Sequence, residues 1–77
     1  MYSSDLQALM WDILRTLSQI DAEHHLRLDE VERGATEDEL KAYVRRKLTA
    51  AHRERREPYV NQLETLRQQQ HRQSFGT

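Results

Sequence analysis

Cysteine is absent from this 77-residue chain. Its absence removes disulfide staples, thiolate metal sites and cysteine nucleophiles. Glycine occurs twice and proline once, so the chain has no Gly-rich phosphate loop and few places to turn. No apolar run approaches the ~18 residues of a membrane span. The start, Met1-Tyr2-Ser3-Ser4-Asp5-Leu6, carries neither a basic segment nor a small-residue cleavage site. A cytoplasmic protein with no membrane contact is the expectation. Enzyme constellations are missing as well. No Ser–His–acid set has supporting context, and so thin a chain offers no deep, water-excluding pocket. The sequence thus gives no catalytic residue, no cofactor and no reason to expect an enzyme.

What remains is a helical, strongly charged composition: 36% hydrophobic and 32% charged residues, net charge −1. That balance fits a solvated helical protein rather than a disordered one. Charge is unevenly shared. Residues 1–34 carry seven acids and three bases, and residues 35–77 carry six acids and nine bases. A chain this short buries only about 60% of its unfolded surface, so a lone core is marginal and self-association is the common remedy.

Apolar residues recur at Leu6, Met10, Ile13, Leu17 and Ile20, and the line continues through His24, Leu28 and Val31. This is a heptad seam of alternating fours and threes. Leu9 and Leu14 flank it, giving a stripe too wide for one partner helix to cover. Ser4 with Gln7 has capping-box spacing. Gly34 stands where a left-handed residue would end this first helix, at about residues 4–32. Thr36-Glu37-Asp38-Glu39 reads as a second capping box, opening a helix at about 37–57 through Leu40, Tyr43, Val44, Leu48 and Ala51.

At Pro58 the stripe changes phase. Leu40, Val44 and Ala51 lie on one side, while Tyr59, Leu63, Leu66 and Gln70 project roughly 90° further round. A kink at Pro58, or a third short helix over about 58–70, reconciles the two stripes. Residues 71–77 have little to bury and are expected to fray. The fold class is all-α: one domain, 1–77, forming a long antiparallel helical hairpin with its turn near Gly34 and dimerising into a helical bundle. Folding about Gly34 places residues whose numbers sum to about 69 opposite each other. The acids of 21–32 then face Lys41, Arg45, Arg46 and Lys47.

Three clusters hold residue types that could carry chemistry. Asp21, His24, His25 and Asp29 have metal-ligand types at helical spacing, but the set is incomplete. The simpler reading of His24 is a polar seam residue that fixes register, so no metal is expected. Arg45, Arg46, Arg53 and Arg56 approach one helix face, as phosphate binding requires. Yet no aromatics interleave with them, and a charge run is usually a solvated face. Trp11 lies roughly 140° from Leu6 round the helix, with Ala8 and Leu14 beside it. An unpacked tryptophan there suits an interface anchor.

The leading expectation is therefore a non-enzymatic interaction, adaptor or inhibitor protein. Its partners are itself, as a homodimer, and an unidentified protein met through Trp11, Leu14 and Ala8. The alternative is a small nucleic-acid-binding regulator using Arg45, Arg46, Arg53 and Arg56. No family resemblance reaches the level of residues. The likeness of a short dimerising hairpin to the RNA-binding hairpins of plasmid copy-number control is one of shape alone, and fold does not fix function.

Overall fold

The computed structural model describes residues 3–75, with side chains for 5–72. It consists of α1 (Ser3–Arg33) and α2 (Asp38–Phe75), packed antiparallel as an extended hairpin. The molecule measures 60 × 16 × 12 Å. At about 1.5 Å per residue a 38-residue helix is about 57 Å long, so α2 runs its whole length. No helix among the described residues is long and apolar enough to cross a membrane.

The seam expected of α1 is the one that packs. Leu6, Ile13, Leu17 and Ile20 are buried, and Leu63 and Leu66 of α2 join them. Met10 and Tyr59 cover the edges of this cluster. The core therefore occupies the end away from the turn. In the turn-side half, Leu28, Val31, Val44 and Leu48 are only half-buried. Each fully buried aliphatic side chain contributes about 1.5–3 kcal/mol, so stabilisation is concentrated at one end.

The turn differs from its sequence reading. Gly34 does not adopt a left-handed conformation; none of the described residues has positive φ. Instead its amide donates to the Val31 carbonyl at 3.2 Å, an i→i−3 bond that tightens the last turn of α1. The first bond of α2 runs from the Lys41 amide to the Glu37 carbonyl at 3.0 Å. Glu37 rather than Thr36 is therefore the capping residue, and Asp38 and Glu39 remain in the favourable first turn. The capping role expected of Ser4 lies outside the described side chains.

No third helix forms at Pro58, because α2 is continuous through it. Polar residues bridge the two stripes. The inward line of α2 runs Val44, Leu48, His52, Arg56, Tyr59, Leu63, Leu66, all buried or half-buried, whereas Leu40 and Ala51 are exposed. Two polar residues, His52 and Arg56, bridge the apolar segments in phase. Pro58 and Glu54 are both exposed, so the hydrogen bond that an interior proline removes belongs to the outer side of α2 and not to its packed face. The tail expected to fray is helical as far as Phe75; Gly76 and Thr77 lie outside the described residues.

Register also shifted. Cross-helix partners are Glu32 with Arg45, Glu23 with Arg55, and Asp21 with Arg56 and His52, so their numbers sum to between 73 and 78. The connection takes residues 34–37, which carries the pivot beyond Gly34. Lys41 donates to the Glu32 carbonyl. Lys47 instead lies over the Tyr43 ring, 5.5 Å from its centroid, and Arg46 has no cross-helix ion pair among the described residues.

Candidate interaction surface

Between the apolar core and the turn lies a polar layer. On α1 the heptad step from Ile20 reaches His24, with Asp21 one residue past Ile20. On α2 the steps from Leu48 reach His52 and then Arg56. The rings of His24 and His52 stack at 4.0 Å between centroids and 7° between planes. His52 Nε2 lies 2.7 Å from Asp21 Oδ1. A carboxylate only accepts, so Nε2 carries the proton and donates. Arg56 Nη1 is 3.4 Å from the same oxygen, and Arg56 Nε is buried without a hydrogen-bond partner.

The hydrogen bond from His52 holds the Asp21 carboxyl below the usual range, with the charges of Arg56 and His52 adding and burial opposing. Burial lowers the His24 pKa, and the neighbouring His52 and His25 lower it further, against the pull of Asp21. One carboxylate thus accepts from His52 and pairs with Arg56 while a second imidazole lies against the first.

The metal-type set named from sequence is dispersed by the fold. His25 is exposed, and Asp29 pairs with Arg33 on its own helix. His24 and His52 present ring faces, not converging lone pairs. Among the described residues no group of three His, Asp or Glu side chains is placed to hold a metal ion. The residue that sequence reasoning missed is His52. Its signal was there: it stands four residues after Leu48 and seven before Tyr59, in phase with the seam.

Trp11 is 65% exposed, with Leu9 at 51% and Leu14 at 37%; Ala8 is exposed too. Trp11 and Leu14 border a shallow open groove with Gln7, Met10 and, across the hairpin, Gln70. The tryptophan is thus not tucked under α2. On α2, Arg45, Arg46 and Arg53 line one shallow groove with Ala42, Thr49 and Ala50. Arg56 turns inward to the polar layer, and Arg45 is engaged by Glu32. Arg46 and Arg53 are left as the cations of that groove without a carboxylate partner among the described residues. The four arginines are not one free face.

Compared with known proteins, the chain matches no family model, no curated protein and no solved structure. Its function must be argued from its own residues.

Proposed function

We propose that this protein is a non-enzymatic interaction module, a helical hairpin that completes a bundle with a second copy of itself and binds a further protein through α1 and Trp11. The observation that carries the reading is the exposure of Trp11 beside Leu14 on a helix whose seam is already occupied by α2. Tryptophan is costly to leave in water and is enriched at interface centres. The shape supports it. A globular chain of 9.2 kDa exposes about 4,900 Å², whereas this one exposes 6131 Å². The excess, about 1,200 Å², exceeds the roughly 800 Å² per partner of a standard interface. The radius of gyration, 17.7 Å, against about 11.5 Å for a compact chain of this length, supports the same reading, since so extended a hairpin leaves long helix faces open to a second copy.

Sedimentation equilibrium tests the self-association. Wild type gives twice the monomer mass at micromolar concentration, and Leu9→Lys, on the exposed flank of the α1 stripe away from Trp11, shifts it to monomer. Monomer mass for wild type at high concentration overturns the dimer. A pull-down from native lysate with Trp11→Ala as control tests the further partner.

Nucleic-acid binding is the second reading, favoured only by the unpaired Arg46 and Arg53 flanking Thr49. Two such cations are few for phosphate binding. Steeply salt-dependent retention on heparin, lost in the Arg46→Ala, Arg53→Ala double variant, would replace the first reading with this one.

A further inference from the structure

The layer formed by Asp21, His24, His52 and Arg56 has no part in the interaction surface, yet it divides the hairpin into two unequal halves. Among the described residues the six buried apolar side chains all lie towards the termini, and towards the turn none is more than half-buried. The turn-side half is otherwise held by exposed contacts, such as Glu32 with Arg45 and with Lys41, each worth about 0–1 kcal/mol.

We propose that this layer is a proton-sensitive clasp: protonation of His24 releases the turn-side half of the hairpin, residues 24–52, while the core end stays paired. The groups facing His24 decide the sign. From α1 these are Asp21, His25 and Arg27; from α2 they are His52, Arg55 and Arg56. Asp21 is the only carboxylate among them, and it already accepts from His52 and lies beside Arg56. Glu23, close by, is paired with Arg55. A proton on His24 places an imidazolium face to face with the His52 ring at 4.0 Å, half-buried and with no anion free to answer it. The charged form is favoured only when the chain opens and water reaches the ring.

The sign follows from linkage. The folded His24 pKa lies below its ordinary 6.5, so the opened chain binds the proton more tightly. Stability of the clasp is complete above about 6.5 and is lost as pH falls below it, by at most tenfold in the closing equilibrium per pH unit for one proton. Loss stops once pH falls below the folded pKa.

Amide hydrogen exchange of the full chain at pH 7.5 and 5.5, corrected for intrinsic rates, reads this directly. Protection in 24–52 falls several-fold to tenfold at the lower pH, and protection in 6–20 and 59–70 is unchanged. His24→Gln and His24→Leu, two variants of different polarity, both abolish the difference. His25→Gln, which alters an exposed neighbour, keeps it. Uniform loss at both ends, a difference that survives in the His24 variants, or one that disappears with His25→Gln overturns the clasp. Repeating the measurement at two protein concentrations separates it from dimer dissociation, because a clasp within one chain does not depend on concentration.

Discussion

At the scale of single residues, Gly34 and Asp21 make the clearest contrasts. Gly34 stands at a turn without using glycine's conformational freedom, since its φ is not positive. An added Cβ would meet the Val31 carbonyl oxygen at 3.4 Å and Thr36 Oγ1 at 3.7 Å, ordinary contact distances. Gly34→Ala should therefore raise stability by about 0.4–1 kcal/mol through the unfolded chain, read as a higher denaturant midpoint; a drop of that size would show that the turn needs glycine. Asp21 is the opposite case, one carboxylate bound by a hydrogen bond to His52 and an ion pair to Arg56 across the helices. Asp21→Asn should cost about 1–2 kcal/mol at pH 7, because it weakens a hydrogen bond to a charged acceptor and leaves Arg56 without its anion. The folded Asp21 pKa lies below 3.8, so its contribution is present above 3.8 and lost as pH falls through the folded value. Urea melts of wild type and variant should accordingly draw together as pH falls from 3.8; a gap that does not narrow would assign the loss to packing.

At the scale of elements, α2 carries a proline that interrupts its ladder without breaking it. The inward line passes in phase from Leu48 through His52 and Arg56 to Tyr59, so no bend is needed to bring Leu63 and Leu66 to the core. Pro58 is exposed, and alanine there restores a backbone hydrogen bond and helix propensity. That gain, up to about 3 kcal/mol, outweighs the about 0.4–1 kcal/mol lost by freeing the unfolded chain. Pro58→Ala should raise the denaturant midpoint with an unchanged m-value. A lower midpoint would mean that the proline holds a bend that packing requires. The same line explains which parts of the elements were legible. The α1 seam was apolar throughout its first half and could be read by period. The α2 seam crosses the molecule on a histidine and an arginine, which a search for apolar periodicity passes over.

For the whole molecule, the consequence of an extended hairpin is unequal stability along its length. Truncation at the core end leaves a cavity beside buried neighbours, and truncation near the turn only uncovers a half-solvated side chain. Leu17→Ala should cost about 2–4 kcal/mol and Leu28→Ala about 1 kcal/mol or less, compared by thermal melts at one protein concentration. Equal costs would mean that the turn-side half is covered in solution by another chain. That result would place the dimer interface there and not on the Leu9 flank of α1.

The sequence alone determined that the chain is all-α, a long helical hairpin turning near Gly34, with α1 facing inward along Leu6, Ile13, Leu17 and Ile20, while a third helix after Pro58 stayed open until the structure showed α2 continuous. Those features are set locally, by heptad spacing and by acids and turn residues at helix starts and ends, and they need no knowledge of the partner helix. Only the tertiary structure decided the register, the burial of His52 and Arg56, and the pairing of both with Asp21. These depend on which residue of α2 stands opposite which residue of α1. A shift of a few residues in the turn resets every such pairing without changing either helix's own periodicity.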